Sequence, residues 1–301
     1  MEPEIVTLNA GSASLSLCPA VGGAISALSY QDSSLLRPIR SADLAIGNVR
    51  AMASYPLIPY SNRIKNGVFK FVRQDYVLAR NFGDHPHAIH GNAWQSVWRY
   101  GKEREDRALL SLHHNPHTEQ ERAAWPFAYE AQQRFQLSET SLSIHLSVRN
   151  TDRRPMPAGV GLHPFFPKTA ETHLCFSARE VWETDDTILP IRRVPISSIW
   201  DFSDERSIGA LEVDNVFTQW KGRVRLTWPD QGMSLTMTAD PIFNRLVVFT
   251  TPERDSIAIE PVSHDTDAFN RMAMGDKGTG AIVLQPGETL KGSVRFTWER
   301  L

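Results

Sequence analysis

His163 and Glu260 are two residues through which this chain could move protons. His163 sits in Gly161-Leu162-His163-Pro164-Phe165-Phe166. Proline fixes the backbone just after it, two phenylalanines supply an apolar wall, and histidine gives up its proton readily near neutral pH. Glu260 closes the run Ile257-Ala258-Ile259-Glu260 before Pro261. In a strand, Ile257 and Ile259 face one way and Ala258 and Glu260 the other, so the carboxylate stands off the core face, at a strand end set by Pro261. Together the two could form a general acid–base pair. Each also has a plainer reading: a histidine satisfied by a backbone carbonyl in a turn, and a glutamate in water. Their spacing alone does not bring them together.

Three more segments place polar groups at turns or strand ends, where scaffold-borne sites usually sit. They are Tyr60-Ser61-Asn62-Arg63-Ile64, His85-Pro86-His87-Ala88-Ile89-His90-Gly91 and Asp214-Asn215-Val216-Phe217. His85, His87 and His90 raise the question of zinc, because H-x-H on a strand aligns two imidazoles. Pro86 between the first two, and the lack of a nearby cysteine, weigh against it. His113, His114 and His117, with Asn115 and Pro116, read as a solvated turn. There is no G-x-S-x-G, G-x-G-x-x-G or G-x-x-x-x-G-K-[ST], which removes the common hydrolase and nucleotide-binding readings.

The elements that must position these residues are strands. Leu142, Ile144, Leu146 and Val148 alternate with polar residues, as do Ala13, Leu15 and Leu17. That period of two marks half-buried strands. Val224–Trp228 and Leu235–Met237 flank Pro229-Asp230-Gln231-Gly232 and predict a hairpin. Leu290, Gly292, Val294, Phe296 and Trp298 share one face of a last strand. Asn66-Gly67 carries a type I′ turn signal ahead of Val68–Phe71, and Pro252–Asp255 is a second polar turn. Short helices are expected only around Asp201–Ile208 and Thr266–Met272. No linker or fixed-period repeat divides the chain, so the reading is all-β: one large antiparallel β-sandwich domain over residues 1–301, with few short helices.

Composition agrees with an ordinary globular protein. The 301 residues are 41% hydrophobic and 22% charged, with net charge −2. The near-neutral balance argues against a nucleic-acid surface or a polybasic membrane patch. The start, MEPEIVTLNAG, lacks the apolar stretch of a signal peptide, and no run is long enough to span a bilayer, so cytoplasm is expected. Cys18 and Cys175 read as buried thiols in a reducing compartment. Nothing demands an oligomer, so a monomer or weak homodimer is expected.

In order, these five segments resemble the aldose 1-epimerase, or galactose mutarotase, family over nearly the whole chain. The set N-R-I, H-G, G-x-H-P-[FY]-F, D-x-x-F and E-P carries the resemblance, and P-L-I-P-Y-S-N-R-I with E-P-x-S-H is closest to the shorter bacterial branch. The resemblance implies a galactose mutarotase-like supersandwich with a cleft for a small-molecule sugar. It makes His163 the general acid and Glu260 the general base, working as imidazolium and carboxylate. Asn62, Arg63 and His90 would contact sugar hydroxyls. Asp214 would accept a hydrogen bond from a sugar hydroxyl, with Asp240 as a weaker rival. His264 could line the site. The implied chemistry, interconversion of anomers by ring opening and closure, moves no electrons and needs neither metal nor organic cofactor.

Two rivals remain at this level besides the zinc enzyme. A relative acting on an anionic sugar, a hexose 6-phosphate or a sulfosugar, would need extra cations, for which Lys65, Arg192 and Arg193 are candidates. A non-catalytic carbohydrate-binding protein would keep the aromatics and Arg63, but would have no need of both His163 and Glu260.

Overall fold

The computed structural model describes residues 3–301. Two antiparallel sheets dominate. One is nine-stranded, with its middle formed by Tyr129–Ser138, Ser141–Asn150, Thr289–Arg300, Met233–Ala239 and Arg223–Trp228. The other is eight-stranded and includes Glu180–Thr184, Val213–Thr218, Arg245–Thr250 and Ser256–Val262, with Gly161–Leu162 and Pro56–Leu57 beyond them. The alternating runs do what their period requires. Leu142, Ile144, Leu146 and Val148 are buried, as are Leu290, Val294, Phe296 and Trp298. The hairpin of Arg223–Trp228 and Met233–Ala239 forms, and Gly232 takes the left-handed φ of 61° that closes its turn.

The eight-stranded sheet is buried on both faces, and this positions the site. Ile257, Ile259, Leu246, Val248 and Phe217 belong to the large core that includes the inner face of the nine-stranded sheet. The other face carries Ala258, Val262, Val247, Val216 and Trp182, packed with Tyr55, Trp94 and Phe165 in a second cluster. Burying one such side chain stabilises the fold by about 1.5–3 kcal/mol. Ser256–Val262 is therefore apolar on both sides, as an inner strand should be. It runs through Pro261 rather than ending there, because proline removes one donor and leaves the flanking pairings in place.

Several local expectations are corrected. Asp201–Ile208 is not helical: Ser203 donates its backbone N–H to Asp201 Oδ1, Arg206 binds the carbonyls of Ser198, Ile199 and Asp201, and Arg206–Ser207 joins a sheet edge. Ala268–Ala273 is helical, close to the expected span. Two further short helices, Ser41–Ala45 and Glu119–Ala124, lie among the described residues. The second has a capping box from Thr118 and Glu121, a local signal the hydrophobic periodicity did not carry. Asn66 and Gly67 both have positive φ, at 54° and 70°. They link a strand paired to Ala88–Ile89 with one paired to Gln74–Val77, so the turn joins two small sheets.

His113 and His114 lie at the end of the strand Arg107–His114, not in a turn. His114 is held by Asn92 and the Trp125 carbonyl. Both cysteines are free, but only Cys18 is buried. No helix of the described residues is long and apolar enough to cross a membrane.

Candidate active site

The register of the site sheet brings His163 and Glu260 together. Gly161 pairs with Val262 and Phe165 with Ala258, so His163 falls opposite Glu260 on the neighbouring strand. A Cβ on Gly161 would lie 2.8 Å from Val262 and 3.2 Å from Leu57, so only glycine lets the three strands meet here. His163 is tied at its backbone N–H to the Tyr55 carbonyl. Its Nε2 lies 3.2 Å from Glu260 Oε1, with both side chains almost fully buried. Glu260 Oε2 and His163 Nδ1 are buried without partners. Unpaired buried polar atoms are rare where a site has no ligand to receive.

Charge on this pair is disfavoured. Burial, aided by Arg37, pushes the His163 imidazole down to about 3. Burial, aided by Asp214, pushes the Glu260 carboxyl well up. The pair therefore holds one proton in its neutral arrangement, a carboxylic acid beside a neutral imidazole. That differs from the imidazolium–carboxylate expected from the resemblance. The proton count is the same, and only its resting place changes.

The second half of the site comes from two loops that cross. Asn62 and His90 have positive φ, at 59° and 65°. The His90 N–H donates to the Asn62 carbonyl, and the Asn62 N–H donates to His90 Nδ1. Because Nδ1 accepts, the neutral His90 ring carries its proton on Nε2. Burial and the nearby His163 keep it neutral, well below the usual histidine range. The rings of His90 and His163 are 5.3 Å apart, so His90 offers an N–H donor beside the pair. A Cβ on Gly91 would meet the Ile58 carbonyl at 2.2 Å, which fixes glycine after this histidine.

Arg63 joins the crossing loop to the site sheet. Asn62 Oδ1 accepts from the Arg63 backbone N–H at 2.9 Å and from its Nη1 at 3.0 Å. The guanidinium so aimed reaches Asp214 at 3.5 Å. Asp214 lies two strands from Glu260, opposite Phe249, while Val216 beside it faces Val247 and then Glu260. Two strand spacings are about 10 Å, which separates the two carboxyl-bearing positions. Burial raises the Asp214 carboxyl and Arg63 opposes the rise. Asp240 is elsewhere, accepting from the Ser293 N–H.

Residue chemistry did not single out Tyr55, Phe165 as a stacking partner, Trp94, Trp182 or Arg37. The Tyr55 ring lies 4.7 Å from His163 and 5.4 Å from Trp94, and Phe165 stacks on His163 at 4.5 Å. Trp182 is buried with Nε1 unpartnered. Aromatic residues in a β protein read as core, and these are both core and site wall.

His264 is explained as support. Its Nε2 accepts from the Ser61 N–H and its Nδ1 donates to the Asp265 carbonyl. Burial lowers it to about 4, and a Cβ on Gly159 would collide with it at 1.9 Å. It locks the loop that carries Asn62 and Arg63.

The histidine trio does not assemble. His87 is engaged by the Asn66 N–H and by Thr187, and His85 accepts from the His87 N–H, while His90 faces His163. Instead His90, His163 and Glu260 offer donor atoms within 4.8 Å of one another. Two imidazoles and a carboxylate suit zinc. Two features weigh against a resident ion: the His163–Glu260 bond, and positive charge from Arg37, Arg254 and Arg63 around His163. Of the cations considered for an anionic sugar, Lys65 is exposed and Arg192 is paired with Glu183. Arg193 lies over Trp182 at 5.5 Å.

The chain belongs to the aldose 1-epimerase family. The aldose 1-epimerase family model matches residues 4–297. The uncharacterised Escherichia coli K12 protein YphB is 27% identical over 98% of this chain and 99% of its own length. A crystal structure of an Escherichia coli K12 protein, provisionally described as an aldose 1-epimerase, superposes with TM-score 0.88 at 26% identity, covering 99% of both chains. A galactose mutarotase-like protein from Clostridium acetobutylicum shares the fold, with TM-score 0.85 at 18% identity, over 100% of this chain and 99% of its own.

Proposed function

We propose that the chain is a mutarotase that interconverts the α and β anomers of an aldose. The observation that carries this is the buried His163–Glu260 contact at 3.2 Å, flanked by the His90 donor and by Arg63. A cyclic aldose is a hemiacetal. In ring opening, Glu260 takes the O1–H proton, and that bond's electron pair forms the C1=O1 double bond. The C1–O5 pair goes to O5, which takes a proton from His163. Rotation about C1–C2 presents the other face, and closure reverses both transfers. Each transfer contributes about 10²–10⁴-fold.

Opening turns imidazolium and carboxylate into neutral imidazole and carboxylic acid. The open aldehyde thus coincides with the arrangement that burial favours. Opening draws on the charged arrangement, which Arg63, His90 and the sugar hydroxyls would stabilise in place of water, and closing the ring regenerates it. Because the hemiacetal and the open aldehyde are at the same oxidation level, the reaction calls for no redox group.

A second reading, an anionic aldose, is favoured by cations near the cleft. Arg254 lies over Phe249 at 4.5 Å and Arg50 over Phe82 at 4.2 Å, and neither has a carboxylate partner among the described residues. NMR exchange spectroscopy on galactose, glucose, arabinose, a hexose 6-phosphate and a 6-sulfonated hexose tests both readings. Accelerated exchange of neutral sugars supports the first, and exchange confined to the anionic ones supports the second. Sugar binding without accelerated exchange would leave a non-catalytic binding protein.

A further inference from the structure

Arg37 touches neither His163 nor Glu260, yet it ends a column of stacked groups that reaches His163. Its guanidinium carbon is 3.8 Å from the centroid of the Phe165 ring. The His163 ring is 4.5 Å from the same ring, at an interplanar angle of 25°. Two planar groups this close cannot share one face of a phenyl ring, so Phe165 is sandwiched between them. Tyr55 packs at the side of this stack, 4.7 Å from His163 and 6.2 Å from Phe165.

The guanidinium is fixed in place. Arg37 Nη2 donates to the Met52 carbonyl at 2.8 Å and to the Arg50 carbonyl at 3.2 Å. The Arg37 backbone N–H donates to the Phe165 carbonyl at 2.8 Å, so its backbone is tied to the segment that carries His163 and its guanidinium to the Arg50–Met52 segment. It has no carboxylate partner among the described residues. Asp43 and Asp255 face it across a cavity of about 640 Å³ without bonding to it. A fixed cation roughly 8 Å from an imidazole, with an apolar ring between, acts through a medium that screens poorly.

We propose that Arg37 is a positioning residue that sets which member of the His163–Glu260 pair holds their shared proton. This rests on the reading of that pair as the acid–base couple. The other groups facing His163 are Glu260 across the sheet, His90 and Tyr55 beside it, Arg63 from the crossing loop and Arg254 from the turn before Ser256. His90 and Tyr55 are neutral near pH 7: burial lowers the one and raises the other. Arg63 engages Asp214, and Arg254 lies on Phe249. Arg37 alone is stacked on the histidine's own neighbour and held by carbonyls instead of an acid. Its charge opposes an imidazolium and so pushes the proton toward Glu260.

The test is a ¹⁵N NMR titration of His163, assigned by comparison with H163N, in the full chain and in R37Q and R37K. Removing the charge in R37Q is expected to raise the His163 midpoint by about one pH unit. R37K, which keeps charge but loses the planar stack, is expected to return most of the way to wild type. In anomer exchange, the acid limb of the pH profile should move up with the R37Q midpoint. A folded R37Q with an unmoved midpoint overturns the proposal, and so does an equal shift in R37Q and R37K. If R37Q does not fold, R37K against R37M at matched thermal stability carries the same comparison. The titration reads Arg37 even if no sugar is turned over, so failure of the proposed activity is seen separately in the exchange assay.

Discussion

His163 and Glu260 are cross-strand neighbours, joined at 3.2 Å on the face of the eight-stranded sheet that points away from the nine-stranded one. Such placement keeps water from the pair and opposes charge on either group. For Glu260, whose folded value is raised, the stabilising term is full below the unfolded value and is lost as pH rises through the folded value. For His163, lowered to about 3, the term is present above the unfolded histidine range and is lost as pH falls toward that value.

E260Q should therefore be more stable than wild type at pH 8, by roughly 2 °C in Tm, with the gain shrinking as pH falls toward 4. H163N should show its gain on the acid side instead. Thermal unfolding of the three proteins between pH 4.5 and 9 checks both slopes. A pH-independent offset would mean that the pair does not titrate as described.

Asn62 is expected to act through Arg63. Its side-chain oxygen is bonded to Arg63 twice, which aims the guanidinium at Asp214. N62A should raise KM about tenfold, the equivalent of 1.4 kcal/mol, with kcat changed far less. Saturation curves by polarimetry or NMR would show it. A fall in kcat at unchanged KM would place Asn62 in the chemistry itself.

Anomer exchange should be flat through neutral pH. The pair keeps one proton from the low His163 value up to the raised Glu260 value, and both protonation arrangements belong to that plateau. Activity should fall in acid as His163 takes a second proton, and in base as the shared proton leaves. A maximum confined to the range of an ordinary histidine would contradict the burial argument.

Chelators should leave exchange intact, whereas added Zn²⁺ should inhibit it. His90, His163 and Glu260 form a compact donor set, and an ion there would occupy the acid–base pair. Loss of activity on chelation, restored by Zn²⁺, would make the ion a participant.

The strands were readable from sequence because alternation in runs such as Leu142–Val148 leaves little choice of structure. Chemistry was readable in His163, Glu260, Arg63 and Asp214 as residue types in ordered segments. Register was not: it places His163 opposite Glu260, and it depends on Gly161 packing against Val262, a contact a hundred residues apart in sequence. Nor could the sequence show that Glu260 would be buried, since its face of the strand is covered by Tyr55 and Trp182 from distant segments. Arg37 was overlooked because a lone arginine before a proline looks like surface. The helix expected at Asp201–Ile208 failed because the Asp201 side chain binds the Ser203 backbone N–H and Arg206 folds back onto the carbonyls of Ser198, Ile199 and Asp201.

The most direct test is anomer exchange by NMR in E260Q, H163N and the double variant, each verified as folded. The proposed pairing requires that each single variant lose at least about 10²-fold in kcat and that the double variant lose little more, because the two residues act as one proton-holding unit. Near-wild-type exchange in either folded single variant would contradict it.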